Sequence, residues 1–401
     1  MTHRHHALDL LDEFGFAGER TAAAEAIAEV LERGFVRADH FRRVFASLRD
    51  ARALPLEADG KFARHFGSWL EVINQPYFKP IITSPHRLDR LIDVLARNEY
   101  VPVADRSVLI VDLGTGHPPY TTANLAERLP RAAVHGFDLY APSHLVRRET
   151  GEYALFRDGT RLVSVHAPTL AQLHALVIDW RATSDGFAAC LASRGRHGCA
   201  PCTVVEDPTQ AIQHACANPR LRFHVNADGG FDLRDLGGDE ADVIWSFNCL
   251  LHYELPEREA AMRSIGLRVR QGGIVFEGYT SPRGDHAVFS VWQRDGSSLQ
   301  MREFGFSRAN FGFPLWPLHG RDPQVELLNR LLALVKTEAP ADREGPRAAD
   351  IVSVLGAAGY DARTADEFVV VRPRTTAAEL DFPSLPIVSR GASKELAWVP
   401  A

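Results

Sequence analysis

The chain has 401 residues, long enough for one large domain or two ordinary ones, and its 45% hydrophobic and 24% charged residues are typical of a globular protein with a sizeable core. Its formal net charge of -6 argues against nucleic acid as the main partner, because proteins that bind phosphate-rich polymers usually carry a basic face. The sequence lacks a run of about 18 apolar residues and a signal-peptide pattern, so we expect a cytoplasmic protein without a membrane span.

Residues 1–100 show helical periodicity and no catalytic constellation. Leu88, Leu91, Ile92 and Leu95, for example, follow the spacing of one helix face. We interpret this region as a helical cap or a dimerisation region, with a homodimer as the candidate assembly.

After the helical region the pattern changes to that of an α/β domain. Val108–Val111 is an apolar run that ends in a glycine turn, a helical stretch follows at Thr121–Leu129, and Val134–Phe137 has the pattern of the next strand. Strand, turn, helix and strand form a βαβ unit, which builds parallel sheets. We therefore predict a catalytic domain over residues 101–375 and an irregular tail at 376–401.

Two stretches, at about residues 150–220 and 280–345, interrupt this alternation and are interpreted as insertions. The first contains a hairpin pattern at Phe156–Val165. Further strands are expected at Leu221–Val225, Val243–Phe247, Ile274–Phe276 and Phe368–Val371.

A glycine turn and two acids mark a candidate cofactor site. Asp112 precedes Gly114 and Gly116, where the chain must turn sharply from strand into helix, and Asp138 follows the next strand, where a carboxylate can accept the hydroxyls of a ribose. A nicotinamide enzyme would have a third glycine here, and Pro118 removes a backbone donor that a phosphate would use. The pattern favours a cofactor without phosphates that carries a cationic amino group and a ribose.

This combination resembles the class I S-adenosylmethionine (SAM)-dependent methyltransferases. Asp112–Gly116 is similar to the family's first motif, which holds the amino-acid end of the cofactor. Asp138 is similar to the ribose-binding acid, and Leu139 to the hydrophobe beside the adenine. The resemblance covers residues 105–280, and more weakly 348–373. It implies an α/β fold with a mostly parallel sheet, helices on both faces, and SAM as the cofactor.

The resemblance adds three further cofactor-binding candidates. Asp228 follows the third strand, where the family often has an acid near the adenine amino group, although a long insertion precedes it. Phe247 and Asn248 end the fourth strand and begin the turn that faces the methyl group.

Methyl transfer needs mainly alignment and exclusion of water, and a base only if the acceptor must lose a proton. His252 and Tyr253, after the fourth strand, and Glu277, at the end of the fifth, are the catalytic candidates. The alternatives are a packing role for His252 and an ordinary strand-end acid for Glu277. We expect a small-molecule acceptor, methylated on O or N, in bacterial specialised metabolism.

Two other functions stay open: an NAD(P)-dependent oxidoreductase, and a non-catalytic binding subunit with a methyltransferase-like fold. The aromatic residues of 286–319 are expected to roof the acceptor, with a separate hydrophobic core as the alternative. Cys199 and Cys202 have metal-ligand spacing, but the remaining cysteines near them, Cys190 and Cys216, form no second close pair. We therefore expect no metal.

Overall fold

The computed structural model describes residues 3–13, 86–97, 107–116, 119–138, 142–157, 161–169, 180–193, 202–206, 218–225, 233–250, 255–280, 286–311, 323–339, 346–379 and 381–387, together with a few isolated positions. Within these ranges the helices are α1 His3–Glu13, α2 Asp89–Arg97, α3 Tyr120–Arg128, α4 Trp180–Ser193, α5 Leu255–Gly266, α6 Pro323–Glu338, α7 Ala348–Ala357 and α8 Thr376–Glu379. The strands are β1 Val108–Leu113, β2 Ala132–Asp138, β3 His144–Arg148, β4 Tyr153–Arg157, β5 Arg161–His166, β6 Cys202–Glu206, β7 Leu221–Val225, β8 Ala241–Phe247, β9 Val269–Thr280, β10 Ala287–Asp295, β11 Ser298–Ser307, β12 Tyr360–Ala365, β13 Phe368–Pro373 and β14 Ser384–Pro386. None of the helices in these ranges is long and apolar enough to cross a membrane.

Five parallel strands form the part of the main sheet that carries the sequence motifs. Their order is β7-β2-β1-β8-β9, which is the 3-2-1-4-5 order of a doubly wound α/β fold. The strand order reverses at β1, so the carboxyl end of β1 lies between those of β2 and β8. The crevice at such a switch point is where ligands bind in sheets of this type.

Helices cover both faces of this parallel part. On one face Ile92 of α2 and Leu125 of α3 share a core with Ile110 of β1. On the other face Ile265 of α5 shares a core with Val111 of β1. Because neighbouring side chains point to opposite faces of a sheet, β1 is buried on both sides, which explains its continuous apolar sequence. The predicted α/β fold class is therefore confirmed.

Beyond β9 the main sheet continues with antiparallel strands, an extension that the sequence did not predict. β10 and β11 lie within the second predicted insertion, and they pair with β9 and with each other, followed by β13 and β12. Phe289 of β10 packs its ring on Gly305, where a Cβ would lie 2.0 Å from the ring. A Cβ on Gly278 would instead meet the β10 backbone, at 2.3 Å from the Val288 carbonyl oxygen. Only glycine fits at these two positions.

The expected aromatic roof is corrected by this arrangement. Phe289, Trp292, Phe304 and Phe306 are buried in the cores on the two faces of the sheet, so they do not line an open crevice. The hydrophobic-core alternative describes these residues. Phe311 is also buried in one of these cores, whereas Phe313 and Trp316 lie outside the described residues.

The first predicted insertion forms a separate antiparallel sheet in the order β5-β4-β3-β6. The predicted hairpin is confirmed as β4 and β5. Val146 and Phe156 of this sheet pack with Phe187 of α4, and the Arg148 guanidinium lies 4.0 Å from the Phe187 ring centroid. The insertion therefore has a small core of its own.

The expected irregular tail is ordered as far as residue 387. β14 pairs with β11, and Ala378 of α8 is buried. The Asp381 carboxylate accepts a hydrogen bond from the Tyr360 hydroxyl and pairs with Arg330 of α6. These contacts hold the segment against the antiparallel part of the main sheet.

Candidate cofactor site

The glycine turn at the end of β1 packs against the end of β2. Gly114 and Gly116 have φ values of +69° and +64°, in the left-handed region that favours glycine. The backbone N–H groups of Gly114 and Thr115 donate to the Phe137 carbonyl at 2.9 and 3.3 Å. Glycine is favoured at both positions of the turn, because residues with side chains resist this backbone conformation.

Asp138 joins the two strand ends. Its Oδ2 accepts a hydrogen bond from the backbone N–H of Gly116 at 2.9 Å and lies 3.4 Å from the Thr115 hydroxyl. The carboxylate is half-buried, at the carboxyl end of β2 beside the turn. The acid and the glycine turn thus lie together, as the sequence motifs predicted.

Asp112 lies beneath the turn and is only 2% exposed. Its carboxylate accepts a hydrogen bond of 2.6 Å from the Thr122 hydroxyl of α3. Burial raises the pKa of Asp112 to about 7, and the charge of Asp138 adds to this, while the Thr122 bond and the Arg87 guanidinium act in the opposite direction. This carboxylate therefore changes charge near neutral pH and fastens α3 to β1.

The turn after β8 is clamped to the end of β9. Asn248 has a φ of +58°, and its backbone N–H donates to the Gly278 carbonyl at 3.0 Å. Its side-chain Oδ1 accepts from the Thr280 backbone N–H at 2.8 Å, while Nδ2 donates to the Thr280 hydroxyl at 3.0 Å. Asn248, predicted to contact the cofactor, thus uses its amide to fix the turn, and Phe247 is buried beside it.

Cys249 is a residue that the sequence motifs did not single out. A Cβ placed on Gly114 would lie 3.0 Å from both Cβ and Sγ of Cys249. Burial raises the pKa of its thiol above the ordinary range, and the carboxylates of Asp138, Asp112 and Glu277 raise it further. The thiol stays protonated, and the edge of the sheet around it is negative. In the sequence, only the position of Cys249 in the turn after β8 could have indicated this contact.

Glu277, predicted as a catalytic candidate, is held in a buried ionic network. It is 1% exposed, and Arg258 of α5 donates to its Oε1 at 2.7 Å. Ser290 donates to its Oε2 at 3.2 Å, and Gln324 donates to the same atom. Trp292 in turn donates to the Ser290 hydroxyl at 2.8 Å. A carboxylate with these partners is suited to fixing β9, β10 and α6, and not to removing a proton from a substrate.

Of the other two catalytic candidates, the structure describes Tyr253. The half-buried Tyr253 ring packs edge-to-face on Phe231, with centroids 5.3 Å apart. His252 lies outside the described residues, as do the cofactor candidates Leu139 and Asp228.

The first insertion reaches the same edge of the main sheet. Tyr153 of β4 is buried and stacks on His166, with ring centroids 4.6 Å apart. Burial raises the pKa of Tyr153, and the hydroxyl of Tyr120 raises it further, which places the two phenols beside each other. Because Tyr120 is the first residue of α3, the inserted sheet lies next to the start of this helix.

The cysteine cluster is described only in part. Cys190 is buried in the core of the inserted sheet and Cys202 begins β6, whereas Cys199 and Cys216 lie outside the described residues. In the part of the chain that the structure describes, no three His, Cys, Asp or Glu side chains are grouped to hold a metal ion.

No family model matches the sequence, and no curated protein matches it either. Solved structures do match. An O-methyltransferase family protein from Burkholderia thailandensis is 14% identical, with 86% of this chain and 71% of that chain covered and a TM-score of 0.28. An O-methyltransferase family 2 protein from Planctomyces limnophilus, in complex with apigenin, is 11% identical, with 92% and 93% covered and a TM-score of 0.28. The N-methyltransferase NodS from Bradyrhizobium japonicum, in complex with S-adenosylhomocysteine (SAH), is 10% identical, with 76% and 95% covered and a TM-score of 0.26.

The strand order and the glycine turn, and not these weak overall similarities, carry the fold assignment. The parallel strands form the mostly parallel sheet that the resemblance implied, with Gly114 and Asp138 at the ends of β1 and β2. The fold is a doubly wound, Rossmann-like α/β fold.

Proposed function

We propose that the protein is a SAM-dependent methyltransferase that moves a methyl group to an oxygen or nitrogen atom of a small-molecule acceptor in bacterial specialised metabolism. One observation carries the proposal. The backbone N–H of Gly116, in the turn at the switch point of the sheet, is hydrogen-bonded to the Asp138 carboxylate at 2.9 Å. The contact places two features side by side. One is a glycine turn whose backbone a ligand can approach closely, and the other is a carboxylate suited to accept the hydroxyls of a ribose.

The charges of the site fit a cationic cofactor. Asp138 and Asp112 both act on the Cys249 thiol from nearby. Glu277 acts on it too but is paired with Arg258, so the negative charge of the site comes mainly from the ends of β1 and β2. A phosphate-bearing cofactor would be repelled there, whereas a sulfonium and an ammonium group would be stabilised. When bound, SAM would supply a methyl group that is already activated for transfer.

The residues of the chain would then orient and shield the reactants. Asp138 would hold the ribose, and the Asn248–Thr280 clamp would keep Cys249 against Gly114 as the floor of the site. Tyr120 and Tyr153 would form the wall that excludes water from the acceptor side. For an acceptor that must lose a proton, His252 and Tyr253 remain the candidate bases.

Calorimetric titration with SAH and, separately, with NAD tests this function. We expect SAH to bind and to raise the Tm, because a ligand of the folded state stabilises it by mass action. Asp138→Ala should weaken SAH binding by about 1–3 kcal/mol through loss of charge-assisted hydrogen bonds. It should also lower the free energy of unfolding, because the Gly116 N–H loses its acceptor. Binding of NAD alone would indicate an oxidoreductase. SAH binding without methyl transfer to any acceptor in a broad panel would indicate a non-catalytic subunit.

A further inference from the structure

Two histidines on neighbouring parallel strands face each other, away from the glycine turn. His135 lies on β2 and His224 on the edge strand β7, and both are half-buried. Nε2 of His224 lies 3.2 Å from Nδ1 of His135, the ring centroids are 5.0 Å apart and the ring planes are inclined by 34°.

The two ring nitrogens lie at hydrogen-bond distance, so a neutral pair can share one proton between them. A metal ion could take the place of that proton. A point about 2.1 Å from both nitrogens, the usual Zn–N distance, would see them at an angle of roughly 100°.

Packing holds the pair in place. Phe137 stacks on the His224 ring with centroids 4.4 Å apart and planes inclined by 14°. A ring nitrogen that bears no proton is the form that ligates metals.

Acidic groups lie near both imidazoles. Asp239 acts on His135 and Asp235 acts on His224, both from the segment that follows Leu233 over this face of the sheet. Arg222 is the opposing charge, since it lowers the pKa of both histidines. The balance of two carboxylates and one guanidinium is negative. Carboxylates in such places orient metal-bound imidazoles or complete the coordination shell through water.

We propose that His135 and His224 form a binding site for a divalent transition-metal ion that prefers imidazole, such as Zn²⁺ or Cu²⁺, with water filling the remaining positions. The site lies on the opposite face of β2 from the glycine turn, because His135 and Phe137 alternate with Gly136 and Asp138. It is independent of the methyltransferase proposal, since neither histidine belongs to the cofactor site.

Calorimetric titration with Zn²⁺ tests the site. All proteins should carry His3→Ser, His5→Ser and His6→Ser, because that histidine run would bind metal by itself. We expect one ion per chain and at least a tenfold loss of affinity in His135→Gln and in His224→Gln. His166→Gln, which changes a half-buried histidine of the inserted sheet, is the matched control and should retain binding.

Electron paramagnetic resonance of the Cu²⁺-loaded background protein gives a second readout that needs no variant at the pair. Two equatorial imidazole nitrogens are expected in the spectrum. The proposal is overturned if Zn²⁺ does not bind at up to about 0.1 mM, a weak limit for a two-imidazole site. It is equally overturned if the His135→Gln/His224→Gln protein, with an unchanged circular dichroism spectrum, binds the ion as tightly as the background.

Discussion

Cys249, in the turn after β8, lies directly against Gly114, in the turn after β1. A methyl group on Gly114 would come within 3.0 Å of both Cβ and Sγ of Cys249. The two turns belong to neighbouring parallel strands, so their contact sets the width of the crevice at the switch point. A change on either side of the contact should therefore alter cofactor binding.

Gly114→Ala should lower SAH affinity at least tenfold. The new Cβ would strain a backbone at φ +69° by about 1–2 kcal/mol and would also push Cys249 away. Gly296→Ala is the control, because Gly296 has a φ of +57° but no atom within 4 Å of the added Cβ. Both variants should lose some stability in chemical denaturation, because each adds a Cβ at a positive φ. Equal SAH affinities would show that the contact with Cys249 does not shape the site.

Removal of the Asn248 clamp should loosen the site without unfolding the protein. Asn248→Gly relieves the positive φ yet leaves the Thr280 backbone N–H without its acceptor, at a cost of about 1–3 kcal/mol. SAH affinity should fall several-fold. Thr280→Val keeps the backbone donor and loses only the hydroxyl that Asn248 contacts. It should therefore reduce stability and SAH affinity less than Asn248→Gly does. A larger loss in Thr280→Val than in Asn248→Gly would contradict a clamp made through the Thr280 backbone.

Asp112 should make stability depend on pH between about 4 and 7. Its pKa in the folded protein, about 7, lies above the ordinary value of 3.8, so the folded state binds the proton more tightly than the unfolded state. The stability that this group contributes is fully present below about pH 4 and is lost as the pH rises through 7. Asp112→Asn should flatten this part of the Tm profile relative to the wild type. A wild-type slope that Asp112→Asn leaves unchanged would place the responsible group elsewhere.

Glu277 should prove essential for folding and dispensable as a base. Glu277→Ala leaves Arg258 as a buried cation and should destabilise the protein by about 3–5 kcal/mol in urea unfolding. The paired replacement Arg258→Met/Glu277→Leu removes both charges and should cost clearly less than the single change. If the single and double variants were equally unstable, the unpaired charge of Arg258 would not be the cause of the destabilisation. Residual methyl transfer in the double variant with an unaltered pH profile would confirm that no base was lost.

Local patterns in the sequence predicted the parallel part of the fold well. Val108–Val111 is apolar on consecutive positions because β1 is covered on both faces, and the glycines that follow it adopt the expected positive φ. Asp138 lies beside the turn because parallel strands bring their carboxyl ends to one edge. These features depend on residues that are close in sequence or on the general geometry of βαβ units.

Features that depend on distant pairing were missed. Phe289 was predicted to be part of a roof because Gly305, which its ring covers, has no side chain that could indicate the contact in the sequence. Glu277 looked like a strand-end base because nothing near it in sequence shows that Arg258 reaches it from α5. Cys249 meets Gly114 only after two strands far apart in the chain have paired. Such contacts are tertiary and leave no periodic signal.

The two parts of the main sheet also imply a particular sequence of folding events. β9, β10 and β11 are successive hairpins, whose pairing closes short loops. The pairing of β1 with β8 instead brings together residues such as Leu109 and Asp242, which are 133 positions apart, with the whole inserted sheet between them. The entropy of closing a long loop is lost before the distant contact can stabilise the chain. In pulse-labelling hydrogen exchange, the antiparallel hairpins should therefore be protected first. The cofactor crevice, which needs the pairing of β1 with β8, should form last. A nascent chain would hold its glycine motif unpaired from β8 until most of the protein has left the ribosome.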